Sequence, residues 1–210
     1  LNKQLGNLIE KIQFTTPDNI NDYLETTDLF VNVSKGSFLL PSNTVNTSEL
    51  MTTHDMELIQ NSLTTIHSRV KLEKLINSNL YIDINPNNME ECIDMILTKI
   101  NPYISLPDNF KQLVIEREKL GTTEYKNNIA IPHAITTEHI PDFLVVAHLS
   151  KPIIWNEKPV SLVFLFSSSN SKMSSWFLDR ISKAVQNPSI SEALMNAHSY
   201  KSFMNTFLSI

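Results

Sequence analysis

Glycine is almost missing from this chain, at 3 of 210 residues. With so few, neither a G-x-G-x-x-G dinucleotide loop nor a Walker sequence can be written, which removes the glycine-rich cradles for ATP or NAD. Cysteine occurs once, at Cys92. One thiol cannot close an internal disulfide and has no C-x-x-C or Cys/His partner spacing, which fits a reducing compartment. Positive charge is in deficit, with 17 Lys and Arg against 22 Asp and Glu and a formal net charge of −5. No basic run of five or more exists, which argues against nucleic-acid contact as the main role of this piece. No apolar run approaches the ~18–20 residues needed to cross a bilayer. The start shows no charged-then-apolar leader. It begins with Leu1 rather than Met, which reads as a fragment of a longer chain or a processed one.

What remains is 41% hydrophobic, enough for a core in one large domain or two small ones. The first 70 residues read differently from the rest. Leu5, Leu8, Ile9 and Ile12 have helical spacing. Asp28 to Ser34 alternates, which predicts a strand with Leu29, Val31 and Val33 on its inner side. Thr44 to Thr47 is a second short strand. Met56, Ile59, Leu63 and Ile66 predict a helix over 52–66, capped by Thr52 or Thr53. A boundary is expected near residue 70, giving domains 1–70 and 71–210.

The second region is patterned more strongly. Leu80 to Ile84 is a candidate strand. Asn88 caps a helix whose stripe is Met89, Cys92, Ile93, Ile96, Leu97 and Ile100. Cys92 sits mid-stripe as core filler. Pro107 opens a further helix and Gly121 closes it, with Phe110, Leu113, Val114 and Leu120 on its apolar face. Ile129 to Ile131, Phe143 to Leu149 and Val160 to Phe166 are strands, the last an almost unbroken apolar run suited to a covered central position. A helix around Trp176 to Val185 ends at Pro188. Ser189 and Glu192 form a capping box for a short helix, and Ser199 caps the last one, with Tyr200, Phe203, Met204, Phe207 and Leu208 facing inward. The order predicts an α/β layered sandwich with a mixed central sheet and helices on both faces over residues ~75–210.

Two side chains stand out. Arg117 falls on the apolar face of its helix, where a guanidinium must snorkel to water, pair with a structural carboxylate or meet an incoming anion. His133 follows a strand and a proline, so its backbone is fixed and its side chain stands at a rim. An imidazole keeps a free lone pair at neutral pH and is a nucleophile. To accept a phosphoryl group it needs orientation of its second nitrogen, donors for the phosphoryl oxygens and a cation. His133, Thr122 or Thr123, and Arg117 supply these types. Glu116 and Glu118 are placed on the solvent side, which weakens hydrolase readings, and no G-x-S-x-G occurs. His148 lies in an apolar strand as a core histidine. His139 is a surface loop residue, and His54, His67 and His198 have nothing around them to single them out. The histidine spacings match no metal-ligand pattern.

The segments Glu116-Arg117-Glu118-Lys119-Leu120, Gly121-Thr122-Thr123 and Ile129-Ala130-Ile131-Pro132-His133 together resemble the signature of the fructose/mannitol-type IIA domains of the bacterial sugar phosphotransferase system. That signature is an E-R-E-x-L, a short S/T-T loop with a G-N-G, and an I-A-I-P-H-G ending. Lys151-Pro152-Ile153-Ile154-Trp155, the strand after it and the final helical segment also resemble the family, so the likeness covers roughly 80–210. It implies that His133 is the phosphoacceptor, with HPr as donor. It further implies that Arg117 stabilises the phosphoryl charge, that Thr122, Thr123 and Asn127 bind phosphate, and that no metal or other cofactor takes part. His148 is an auxiliary candidate. The chain departs from the signature at Lys126 and Asn128, where the family has glycine, at Ala134 after the histidine, and near Ser174, where some members carry a second histidine.

Asp28 to Val33 and Val45 to Thr52, with the helix after them, are similar to the last strands of a IIB-like domain. Its phosphocysteine loop would lie upstream of Leu1. The order IIB-like then IIA-like is similar to the C-terminal part of BglG/MtlR/LicR-type regulators. The resemblance therefore implies a cytoplasmic phosphoacceptor and sensor module of a transcriptional regulator. Its partners would be HPr, a IIB domain or protein and upstream regulatory domains, with no membrane or nucleic-acid contact by this piece and a homodimer open in the full-length protein. Two other readings stay open: a IIA component of sugar uptake that transfers phosphate from histidine to histidine, and a degenerate docking module.

Overall fold

The computed structural model describes residues 8–34, 36 and 38–210. The chain divides into two compact units, residues 1–70 and 71–210.

In the first unit, Pro17 sits in the first turn of a 3-10 segment, Pro17–Tyr23, where its missing N–H leaves no helical bond unmade. Strand β1 (Phe30–Asn32) pairs in parallel with β2 (Thr44–Asn46), Val31 opposite Val45. Asn43 fixes the entry to β2 by donating to the carbonyls of Thr27 and Asp28, both at 3.1 Å. The alternation is inverted relative to the sequence expectation. Phe30 is buried, while Val31 and Val33 are exposed. One large ring outweighs two valines in choosing the inner face. Of the helical spacing Leu5 to Ile12, Leu5 lies outside the described residues, and Leu8 to Ile12 form no helix. Helix α1 (Thr53–Leu75) runs well past Ile66. Its start is a reciprocal box: Thr52 N–H donates to Asp55 Oδ2 at 2.7 Å, and Asp55 N–H to Thr52 Oγ1 at 3.3 Å. The Ser48 and Thr52 hydroxyls hold the Asp55 carboxyl well below the usual carboxylate range.

The second unit is built on a four-stranded mixed sheet in the order β3-β5-β6-β4. The strands are β3 (Tyr81–Ile84), β4 (Ile129–Ala130), β5 (Phe143–Ile154) and β6 (Pro159–Ser167). β3 lies parallel to β5, β5 antiparallel to β6, and β6 parallel to β4. The apolar run of β6 is central, as its sequence requires, and buried from Leu162 to Ser167. Helices α2 (Met89–Ile100) and α3 (Phe110–Leu120) precede the central strands. Helices α4 (Ser171–Gln186), α5 (Pro188–Met195) and α6 (Tyr200–Leu208) follow them.

Residues opposite one another in a ladder share a face. Tyr81, Val146 and Phe164 therefore point one way. There they meet α4 and α6, with ring centroids 6.1 Å apart for Phe164–Phe177, 6.2 Å for Phe164–Phe207 and 5.6 Å for Tyr81–Phe203. Phe143, Leu165 and Val163 point the other way, where Phe143 meets Phe110 of α3 at 5.9 Å. The sheet is thus covered by helices on both faces.

The helix ends follow local chemistry. Asn88 accepts from Glu91 N–H at 2.9 Å, and Ser199 from Ser202 N–H at 3.2 Å. The expected Ser189–Glu192 box is replaced by Asn187, which accepts from Ser189 N–H at 3.1 Å with Pro188 in the first turn. Helix α3 begins at Phe110, not at Pro107, whose carbonyl closes a turn onto Phe110 N–H at 2.9 Å. Leu120 at its end is exposed rather than inward. Cys92 is fully buried, and burial pushes its thiol up to about 12, so it is unreactive filler.

Phe207 makes ring contacts with four other aromatics of this core, Phe164, Trp176, Phe177 and Phe203. Phe207→Ala is expected to lower unfolding stability by about 3–5 kcal/mol. Leu120→Ala should stay within about 0.5 kcal/mol. Urea denaturation of the two variants checks this; equal losses would contradict the assignment of Phe207 to the core.

Candidate functional site

The site forms where α3 ends beside the exit of β4. A tight hairpin brings the chain back between them. Tyr125 N–H donates to the Ile129 carbonyl at 2.8 Å, and Ile131 N–H to the Thr123 carbonyl at 3.0 Å. Its turn holds Asn127 and Asn128, both with φ of 60°. This left-handed region favours glycine and is tolerated by asparagine, so Asn128 keeps the backbone that a family glycine would supply. Asn128 is fixed further because its carbonyl accepts from Ser161 N–H at 2.8 Å and Leu162 N–H at 3.1 Å. Pro132 ends β4, and its carbonyl accepts from Phe166 N–H at 3.3 Å. Beyond His133, Ile135 N–H donates to the Leu113 carbonyl at 3.2 Å, so the backbone is pinned on both sides of the histidine.

His133 is half-buried, and both ring nitrogens are engaged. Nδ1 lies 2.9 Å from the Ile131 carbonyl oxygen. Nε2 accepts from Arg117 Nε–H at 3.0 Å. Arg117 Nη1 donates to the Gly121 carbonyl at 2.9 Å, so the guanidinium is anchored by the loop that ends its own helix. Among the described residues, no acceptor meets Nη2. A carbonyl oxygen only accepts, so Nδ1 carries the proton and Nε2 carries the lone pair.

The other expected site residues divide. Thr122 is exposed, and its Oγ1 accepts from Glu124 N–H at 3.3 Å, which leaves its hydroxyl proton available. Thr123 is buried, and its hydroxyl donates to Glu118 Oε1. Its backbone N–H donates to Glu118 Oε2 at 3.1 Å. Asn127 donates its amide to the Val185 carbonyl at 2.7 Å and acts as an anchor of the hairpin on α4. Ser174, in the first turn of α4, bonds the Ser168 carbonyl at 3.3 Å.

His148 does not belong to this group. It pairs with Asp83 of β3 and Leu162 of β6. His133 lies beyond β4, level with Phe166, so two strand spacings (~10 Å) and about four residues of strand (~13 Å) separate them. As an auxiliary of His133 it is therefore ruled out by register. Its Nε2 is buried with no hydrogen-bond partner among the described residues. Burial holds it below the usual value of 6.5, against the pull of Asp83 and a bond to the Met195 carbonyl and with the repulsion of His198.

Sequence reasoning put Glu118 on the solvent side. It is instead half-buried and gathers three donors: Thr123 N–H, the Thr123 hydroxyl and Trp155 Nε1–H, the last at 3.3 Å. Glu124 is also buried. Burial alone would raise its carboxyl, but the backbone N–H groups of Asn156, Glu157 and Lys158, with the Lys158 charge, outweigh that and lower it. No helix is long and apolar enough to cross a membrane, and no cluster of three metal-ligating side chains occurs among the described residues.

Residues 73–210 match the family model described as phosphoenolpyruvate-dependent sugar phosphotransferase system, EIIA 2. No curated protein matches the chain in sequence. Among solved structures, the nitrogen regulatory protein IIA-Ntr from Neisseria meningitidis is similar at 22% identity and TM-score 0.54, over 66% of this chain and 99% of that one. IIA mannitol from Escherichia coli is similar at 18% identity and TM-score 0.52, over 63% and 98%. The complex of enzyme IIA-Mtl with phosphorylated enzyme IIB-Mtl from Escherichia coli is similar at 17% identity and TM-score 0.53, over 64% and 98%. These likenesses concern the fold.

The His148 environment sets a pH dependence. Its depressed value means that the unfolded chain binds this proton more readily, so its stability contribution is full above about 6.5 and drains away as pH falls below it. His148→Phe should flatten the fall in melting temperature between about pH 7 and about pH 5. Equal slopes for the two proteins would contradict the buried neutral assignment.

Proposed function

The chain belongs to the EIIA 2 family of the phosphoenolpyruvate-dependent sugar phosphotransferase system, and we propose that residues 71–210 take up a phosphoryl group on Nε2 of His133. The observation that supports this most is the pair of bonds on one ring, Ile131 O at Nδ1 and Arg117 Nε–H at Nε2. The first fixes the tautomer. The second puts a permanent cation at the only nitrogen with a lone pair.

The donor is the phosphohistidine of HPr. Nε2 attacks phosphorus, and a new N–P bond forms as the donor's N–P bond breaks. The donor ring, already carrying a proton on its other nitrogen, leaves with the bonding electrons as a neutral imidazole. His133 keeps its Nδ1 proton throughout. The transferred group brings roughly −1.5 to −2 charges. Arg117 Nε–H loses its lone-pair acceptor at that moment and, with Nη2, turns to the phosphoryl oxygens. Thr122 is the exposed hydroxyl that can add a further donor.

Within the family we read the chain as the phosphoacceptor and sensor module of a transcriptional regulator, with residues 1–70 as a partial IIB-like domain. Ser174 stands where some members have a second histidine, which suits a terminal acceptor better than a relay. The first unit supports the IIB-like reading by its parallel strand pair followed by α1. Charge arriving at His133 would alter contacts with neighbouring domains or a second subunit.

Incubation with phosphoenolpyruvate, enzyme I and HPr should add one phosphate to the unaltered protein and none to His133→Ala. A phosphate that persists in the variant overturns the site. Arg117→Ala should slow uptake by about 100- to 1000-fold with little change in melting temperature. A lowered melting temperature with an unchanged rate per folded molecule would make Arg117 a structural residue. Rapid onward transfer to a IIB protein, restoring sugar phosphorylation, would favour uptake over sensing.

A further inference from the structure

Arg117 and Glu118 are consecutive on α3, so their side chains leave the helix about 100° apart. One turns to His133, the other to the loop beyond the helix. A carboxylate in the last turn of a helix works against the macrodipole, and half-burying it costs solvation. The molecule nevertheless holds Glu118 there with donors from two separate segments. Thr123, which gives it two of them, is 1% exposed, and Trp155, which gives the third, is 4% exposed.

The bonds continue past the carboxylate. The carbonyl of Thr123, whose N–H and hydroxyl both point at Glu118, accepts from Ile131 N–H at 3.0 Å. The carbonyl of Ile131 then meets His133 Nδ1 at 2.9 Å. Trp155, Glu118, Thr123, Ile131 and His133 are thus tied residue to residue by hydrogen bonds; at Thr123 and Ile131 the link passes through Cα from one peptide group to the next, so it acts by fixing position. The same loop presents the Gly121 carbonyl that anchors Arg117 Nη1 at 2.9 Å.

We propose that Glu118 is the positioning residue of this site. By clamping Thr123 it holds the Ile131 carbonyl against Nδ1–H of His133 and the Gly121 carbonyl against Arg117, so that lone pair and guanidinium face each other before a donor arrives. Glu118 touches neither the ring nor the incoming group and acts only through Thr123 and the loop. This role rests on the reading of His133 as the phosphoacceptor. The hairpin's other ties act elsewhere along it: Asn127 and Asn128 hold its turn to α4 and β6, and the Pro132 carbonyl holds its exit to β6. Glu124 ties it to the turn at 156–158, remote from the imidazole in the bonding sequence.

The test compares the unaltered protein with Glu118→Ala and Glu118→Gln by two independent readouts. Ring 1H–15N spectra report the tautomer of His133 with no donor protein present. Phosphoryl uptake from phosphorylated HPr, with kcat and KM separated, reports the chemistry. Glu118→Ala is expected to fold, to show mixed tautomers at His133 and to lose on the order of 10- to 100-fold in kcat with little change in KM. Glu118→Gln, which keeps an acceptor for Thr123 N–H and Trp155, should recover most of both. A folded Glu118→Ala with the ring spectrum and kcat of the unaltered protein overturns the proposal. Should Glu118→Ala fail to fold, Thr123→Val removes the hydroxyl bond alone and is judged by the same spectra. If the unaltered protein takes up no phosphoryl group, the function proposed above fails, and the ring spectra still decide for or against the Glu118 clamp.

Discussion

The imidazole of His133 is held from both sides, by a backbone carbonyl at one nitrogen and a guanidinium at the other. A free histidine side chain on a surface would sample two tautomers and several rotamers, and a donor would find its lone pair aimed correctly only part of the time. Here the Ile131 carbonyl forces the proton onto Nδ1, and Arg117 marks the place where negative charge is to arrive. Each requirement constrains a different part of the chain. The carbonyl must sit at the end of β4, so β4 must be pinned by β6 and by the hairpin. The guanidinium must come from α3, so α3 must pack on the sheet face that carries Phe143. The mixed sheet with helices on both faces is the arrangement that satisfies both.

The hairpin between α3 and β4 carries more of this burden than its length suggests. Two asparagines in the left-handed region turn it. One of them, Asn127, anchors it on α4, and Asn128 anchors it on β6. Two carboxylates, Glu118 and Glu124, fasten it at its start and to the turn at 156–158. Charged acceptors make stronger bonds than neutral ones, which suits a short segment with little apolar area of its own. The half-exposed histidine, able to meet a partner protein, therefore rests on a base that is largely closed to water.

Much of this was legible in the order of residues, for physical reasons. The run of β6 could only be a covered strand, and the stripe of α2 could only be one face of a helix. Arg117 on an apolar stripe and His133 after a strand-ending proline are local anomalies, and local anomalies survive in a one-dimensional reading. What escaped depends on partners far along the chain. Nothing near Glu118 announces Trp155, 37 positions away, so it reads as a solvated carboxylate. Thr123 and Thr122 are indistinguishable in sequence, yet one is buried and committed while the other is open. His148 looked close to His133 by number, and only strand order places it two strands away. In β1 the inner face was misread because Phe30 outweighed the alternating valines. The length of α1 was missed because its second half is polar.

The most direct measurement is a nitrogen–phosphorus correlation spectrum of the protein after phosphorylation by HPr. The account predicts one phosphohistidine, at His133, with phosphorus coupled to Nε2 and Nδ1 still protonated. Phosphorus on Nδ1 of that ring, or on any other residue, would contradict it.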